Sequence, residues 1–274
     1  MQLHYLDWGD AGAPAVFLVH GARDHARAWD DVAHALVRDG WRVIAPDLRG
    51  HGDSDWSPDA AYLVSYHLLD LADLIDHVGE AAFTLVGHSF GGLICARYAA
   101  MYPERVGKLV LADGMGPGPD VWRSWDKTGS PARSRDWIER RRQMSAKAPP
   151  RFATLAEAAA RMAAGNPHLS PEQADHMARH GVREAEGGGF VWKSDPLMNV
   201  FPPEDFVAET AAVYEAIACP TLLIWGTESY TSHPDVDGRW VGLKDSRLVL
   251  FEGAGHWLTQ ERADDFLREL RAFL

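Results

Sequence analysis

The chain has 274 residues, of which 46% are hydrophobic and 24% charged, proportions that suit a soluble globular protein with one α/β domain and an insertion, or two small domains. Its formal net charge of -12 at pH 7 repels nucleic acid and anionic membrane surfaces, so neither is expected as a partner. No apolar run reaches the length of a membrane span, Met1 to Asp10 has neither the basic nor the apolar region of a signal peptide, and the two cysteines, Cys95 and Cys219, fit a reducing compartment; a cytoplasmic protein is expected.

In chain order, Gln2 to Trp8 reads as a first strand and Ala15 to Val19 as a buried one that runs into His20-Gly21-Ala22-Arg23. Trp29, Val32, Ala33 and Leu36 share one face of a helix, which Gly40 closes. Arg42 to Ala45 is a strand leading into Arg49-Gly50-His51-Gly52-Asp53-Ser54, and Leu68, Leu71, Ala72 and Ile75 mark an amphipathic helix. The short apolar run Phe83 to Val86 then meets Gly87-His88-Ser89-Phe90-Gly91, a G-x-S-x-G pattern, with a helical stretch from Leu93 to Tyr102 behind it. A strand, a sharp turn and a helix are the context that a nucleophile elbow requires. Gly87 and Gly91 are expected to supply the positive φ and the close backbone approach of that turn. Val106 to Ala112 is the next strand and ends at Asp113-Gly114. Strands alternating with helices imply a parallel sheet covered on both faces.

From Met115 to about Ala212 the strand signal fades. Arg140-Arg141-Arg142 reads as a solvated helix face, Thr154 with Glu157 as a capping box, Ser170-Pro171 as a second helix start and Gly187-Gly188-Gly189 as a flexible loop. The reading is a mainly helical insertion over residues 115–212, ended by a helix from Phe206 to Ile217. Alternation resumes with a strand from Thr221 to Trp225, a helix around Asp237 to Leu243, a strand from Leu248 to Phe251, the loop Glu252-Gly253-Ala254-Gly255-His256-Trp257 and a terminal helix lined by Phe266, Leu267, Leu270 and Phe273.

The His20-Gly21 turn, Arg49 to Ser54, Gly87 to Gly92, Tyr102-Pro103-Glu104-Arg105-Val106 and Gly253 to His256 stand in the order of landmarks in the α/β-hydrolase fold superfamily, and the chain resembles its capped, esterase-like and serine-hydrolase-like members. The resemblance implies a mostly parallel central sheet flanked by helices, with a core from residues 1–114 and 213–274 and a helical cap from 115–212. It also implies a small-molecule substrate, expected to be hydrophobic; no P-loop and no G-x-G-x-x-G appears, so no cofactor is expected.

A serine hydroxyl needs an adjacent base to attack at neutral pH. His256, past the last strand at the same sheet edge as Ser89, is the candidate. The developing oxyanion needs preorganised donors. The Phe90 N–H follows the nucleophile, and by resemblance the second donor is the N–H of Ala22. Arg23, Asp24 and His25 beside it could face the substrate, but the favoured reading puts them at the surface. The acid that orients His256 has two candidates. Related chains place an aspartate where this one has Ser229, leaving Glu228 one residue off; others place it after the strand that ends here at Asp113. Asp113 is favoured, Glu228 is the alternative, and Ser229 is a candidate supporting donor. His51 and Asp53 read as turn-stabilising residues, and His176 with His180 as a helical i, i+4 pair that lacks a third metal ligand, so no metal is expected. Trp122, Trp125, Trp137, Trp192, Met115, Met144 and Met162 either line a hydrophobic pocket or build the insertion's own core. The expected activity is cleavage of a carboxylic ester or similar acyl compound through an acyl-serine. The alternatives are C–C bond hydrolysis, lactone opening or a lyase reaction on the same scaffold, or a ligand receptor with little turnover.

Overall fold

A computed structural model of the chain describes residues 1–116, 118, 130–200 and 210–274. Its centre is a seven-stranded sheet: β1 (Tyr5–Trp8), β2 (Ala15–Val19), β3 (Arg42–Pro46), β4 (Phe83–His88), β5 (Val106–Ala112), β9 (Thr221–Gly226) and β10 (Ser246–Phe251), in the spatial order β1-β3-β2-β4-β5-β9-β10. β1 runs antiparallel to β3, and every other pair is parallel.

Alternate residues of each central strand enter different cores, because successive side chains point to opposite faces. Phe17, Leu85, Leu109, Leu111 and Leu223 pack with Leu71 and Ile75 of α2 (Val64–Val78) and with Ile94 and Tyr98 of α3 (Phe90–Met101). Val16, Leu18, Val86, Val110 and Ile224 pack with Val32 and Leu36 of α1 (Asp30–Arg38) and with Phe266 and Leu270 of α8 (Ala263–Phe273), the last of the eight helices named here. The predicted helix near Asp237 to Leu243 is two short helical segments, Pro234–Asp237 and Arg239–Gly242, separated by Gly238 at φ 70°.

The insertion is not purely helical. It holds α4 (Ser130–Ser145), α5 (Leu155–Gly165) and α6 (Pro171–Gly181), and also a small antiparallel sheet of β6 (Arg151–Phe152), β7 (Val182–Glu184) and β8 (Phe190–Trp192). These strands are only two or three residues long, too short to leave an alternation in the sequence. Gly187-Gly188-Gly189, read as a flexible loop, is the hairpin turn between β7 and β8, with all three glycines at positive φ and the Ala185 N–H donating to the Gly189 carbonyl at 2.9 Å. Phe152, Ala158, Ala178 and Val182 form a separate small core, against which Met162 and Trp192 pack. The capping box at Ser170 is present in full, whereas the Glu157 carboxylate reaches past Thr154 to the Ala153 N–H. α7 (Thr210–Ala216) leads back to β9; the earlier part of the predicted Phe206 to Ile217 helix lies outside the described residues, as do Trp122 and Trp125.

Polar contacts hold the insertion to the core. The Tyr62 hydroxyl donates to Asp195 at 2.5 Å, the Asp195 N–H to the Gly50 carbonyl at 2.8 Å, and Lys193 pairs with Asp53 at 2.7 Å. The Arg49–Asp53 turn is therefore part of that junction.

Candidate active site

Four parallel strands, β2, β4, β5 and β10, end at one edge of the sheet, and the loops that leave them carry the candidate residues. Ser89 directly follows β4 and Asp113 directly follows β5. The sheet register sets their separation: the Ser89 N–H donates to the Ala112 carbonyl and the Asp113 N–H to the Ile224 carbonyl, both at 2.9 Å.

Ser89 has φ 52° and ψ −119°, far from the left-handed well that a side chain tolerates, so the elbow is a strained turn. The sequence reading assigned positive φ to Gly87 and Gly91, but it falls on the serine itself. Those glycines are required for space. A Cβ on Gly91 would stand 2.3 Å from the Val19 carbonyl oxygen, and one on Gly87 would stand 2.6 Å from the Gly91 carbonyl oxygen. The same holds one strand over, where Asp113 itself turns the chain with φ 49° and Gly114 packs tightly on Gly92.

The structure brings Ser89, His256 and Asp113 together. His256 Nε2 is 2.8 Å from Ser89 Oγ, and His256 Nδ1 is 3.3 Å from Asp113 Oδ2. Both ring and carboxylate are buried, and among the described residues these two facing atoms have no other hydrogen-bond partner. The other carboxylate oxygen, Oδ1, accepts from the Thr231 hydroxyl, which lies 3.0 Å from Ser89's namesake in the next loop, Ser229 Oγ. Glu228 is not part of this group: its side chain is 59% exposed and lies 3.6 Å from Nε2 of His168. Thr231 was missed by sequence reasoning, and only its place in the run Thr227, Ser229, Thr231 after β9 hints at hydroxyl donors there.

The loop after β2 lies against the elbow, since a Cβ on Gly21 would stand 3.0 Å from the Ser89 Cβ. Ala22 is next in that loop, and Phe90 is the first residue of α3. Two buried histidines fix this loop, each using one ring nitrogen as an acceptor. His20 Nε2 takes the Leu48 N–H and His51 Nε2 takes the Arg23 N–H, both at 3.0 Å, while their Nδ1 atoms lie 2.7 Å and 3.0 Å from the carbonyls of Gly21 and Arg49. A ring that accepts a backbone N–H must be neutral. Burial accordingly pushes His20 down to about 4 and His51 to about 3. His88, directly before the nucleophile, donates from Nε2 to the His256 carbonyl at 2.8 Å, and burial takes it to about 3.

Asp24 and His25, expected at the surface, are buried instead; only Arg23 of the three is exposed. The insertion covers them: His25 Nε2 lies 3.0 Å from the Met177 carbonyl of α6, and burial raises Asp24 to about 7. A cavity of about 200 Å³ opens beside this loop, between Ala22, Asp24, Met162, Asn166, Trp192 and Trp257. Its lining mixes apolar groups with polar ones. Trp192 and Met162 both line it and pack on the insertion's core, whereas Met115 is fully buried in the main core and Trp137 donates to the Val200 carbonyl at 3.1 Å. Tyr230 stacks on the His256 ring at 4.5 Å. No described helix is long and apolar enough to cross a membrane.

The family model for the α/β hydrolase fold matches residues 14–263. A serine hydrolase-like protein of Danio rerio is 30% identical over 198 residues, covering 70% of this chain but only 58% of its own length. Epoxide hydrolase A of Mycobacterium tuberculosis is 28% identical, with 100% of this chain and 94% of that protein covered. An esterase of the same bacterium is 30% identical over 224 residues, 82% of this chain and 69% of its own, and its solved structure matches with a TM-score of 0.80 at 26% identity over 98% of this chain and 88% of that one. With a mostly parallel sheet, an elbow after β4 and a family match across almost its whole length, the chain belongs to the α/β hydrolase fold family.

Proposed function

We propose that this α/β hydrolase cleaves a carboxylic ester or related acyl compound through an acyl-serine intermediate. The observation that carries the reading is the chain of contacts from Ser89 Oγ to His256 Nε2 at 2.8 Å and from His256 Nδ1 to Asp113 at 3.3 Å. Ser89 Oγ attacks the acyl carbon while His256 Nε2 takes its proton. The resulting imidazolium keeps its Nδ1–H towards the buried Asp113 carboxylate, which holds tautomer and ring orientation. The oxyanion meets the N–H groups of Phe90, at the N-terminus of α3, and of Ala22. Collapse expels the alcohol, which takes the proton from Nε2. Water then attacks the acyl-serine, gives a proton to His256 and releases the acid, and Ser89 recovers its proton. No cofactor enters this sequence.

Residues 115–212 serve as a cap over this edge, and residues 1–114 with 213–274 as the core. Among the described residues a cavity of about 200 Å³ borders Ala22 and Trp257, the neighbour of His256; taken as the acyl or alcohol site, it lies below the ~300–1,000 Å³ of pockets for drug-sized ligands and favours a short group. Epoxide opening, suggested by one relative, would have Ser89 attack an alkyl carbon and leave an ether, with no acyl carbon for water to attack.

The test is a series of p-nitrophenyl esters from acetate to decanoate, with a fluorophosphonate label mapped by peptide analysis. Turnover that is fastest for short chains, with the label on Ser89 alone, is expected. A folded protein that neither turns over esters nor takes the label at Ser89 overturns the reading and favours a receptor.

A further inference from the structure

Helix α6 presents His176 and His180 one turn apart, with ring centroids separated by 4.7 Å. The sequence offers no third ligand, but the fold supplies one from 146 positions upstream, since Asp30, the first residue of α1, faces the pair. His176 Nε2 is 3.5 Å from Asp30 Oδ2, and one ligand atom from each of the three residues lies within 4.8 Å of the others. For arms of ~2.1 Å, the edge of a tetrahedron is about 3.4 Å, so the closest pair is already at coordination spacing. His176 Nε2 now donates to the Arg27 carbonyl at 3.0 Å, a hydrogen bond that an ion would displace as the ring gives up that proton.

A second, independent observation points the same way. Asp30 is 8% exposed, and its Oδ1 is buried with no hydrogen-bond partner among the described residues. A buried carboxylate oxygen left without a donor is costly, and a cation would satisfy it. The Arg27 guanidinium now sits 3.4 Å from Oδ2, but it is a partly exposed side chain free to turn into water. A cavity of about 180 Å³ lined by Arg27, Asp30 and His176 gives an ion a way in.

We propose that Asp30, His176 and His180 form a binding site for a divalent transition ion of the Zn²⁺ class, tying α6 of the insertion to α1 of the core. Two imidazoles and one carboxylate suit Zn²⁺, Co²⁺ or Ni²⁺ better than Mg²⁺ or Ca²⁺, which prefer oxygen alone. The ion bridges two parts of the molecule that meet here through His25, so occupancy stiffens the junction beside the cavity.

The site is independent of the serine chemistry, so it is measured on both the wild-type and the Ser89→Ala protein after chelator treatment. Calorimetric titration with ZnCl₂ should give one site per chain, Co²⁺ should show the intense visible absorption of tetrahedral coordination, and Zn²⁺ should raise the melting temperature. His176→Ala and His180→Ala, on a half-exposed helix face, should each weaken Zn²⁺ binding at least tenfold and abolish the thermal shift. His4→Ala, in the separate group His4, Asp47 and Asp53, should leave both unchanged. No saturable binding below millimolar Zn²⁺, or equal affinity in the His176→Ala and His180→Ala proteins, overturns the proposal.

Discussion

Lowering the pH from 7.5 to 5.5 should remove about 4 kcal/mol of folding stability, and the reason lies in histidines that the fold keeps neutral. Burial holds His20 and His25 at about 4, His51 and His88 at about 3, and His67 well below the ordinary value. Each folded-state value lies below the unfolded 6.5, so between those limits the unfolded chain binds more protons. Their contribution is complete above pH 6.5 and drains away as pH falls towards the folded values. At pH 5.5 His20, His25, His51 and His88 each cost about 1.4 kcal/mol relative to pH 7.5, or about 6 kcal/mol together, and His67 acts in the same direction. Asp24 works in the opposite sense: raised by burial to about 7, it keeps in the folded state a proton that the unfolded chain releases, which returns about 2 kcal/mol over the same interval. His4, raised by its hydrogen bond to Asp47, also opposes the loss. A net loss near 4 kcal/mol is about a quarter or more of the usual 5–15 kcal/mol total. Urea unfolding followed by tryptophan fluorescence at half-unit pH steps measures it directly. The urea midpoint should fall steeply below pH 6.5, with a slope corresponding to uptake of about three protons on unfolding near pH 5.5. Asp24→Asn should make the acid loss larger. A midpoint that stays level between pH 7.5 and 5.5 would refute the claim that these rings are held neutral.

Three further outcomes are expected. Ser89→Ala should keep the melting temperature within a few degrees and leave only the residual catalysis, of order 10³–10⁴ over water, that binding and the oxyanion donors supply; wild-type turnover in a clean preparation would end the acyl-serine reading. Asp113→Asn should cut kcat by up to ~10⁴ while Glu228→Gln changes it little, as stopped-assay kinetics on a short ester would measure; the reverse ranking would move the orienting acid to Glu228. Thr231→Val removes a hydroxyl bonded to a buried carboxylate, an interaction worth about 1.5–3 kcal/mol, so kcat should fall about ten- to a hundredfold with KM nearly unchanged, and equal kinetics would show that Asp113 needs no second donor.

The sequence carries the sheet well because its central strands are unbroken apolar runs that end in turn residues, and those strand ends place Ser89, Asp113 and His256 at one edge. What it could not carry depends on distant contact. Asp24 and His25 look like surface residues in a polar loop, and only α6 laid across them makes them buried. The short strands β6, β7 and β8 have too few residues for a period, and they form because Phe152, Val182 and Trp192 pack among the helices of the insertion. Thr231 sits five residues past β9, where the path of the loop decides what a hydroxyl meets. His176 and His180 announced their spacing, but Asp30 faces them only in three dimensions.

The backbone bonds that seat the elbow separate two tasks that share one edge. Ser89 hangs on the carbonyl of Ala112 and Asp113 on that of Ile224, so the spacing of the proposed nucleophile and acid is set by backbone bonds of the central strands. The wall of the cavity, by contrast, draws Met162, Asn166 and Trp192 from that insertion. Selectivity can therefore drift, or be exchanged by grafting another insertion between β5 and β9, while the reacting atoms keep their spacing. A one-residue slip of β5 against β4 would do the opposite, leaving the cavity intact and carrying the carboxylate away from the imidazole.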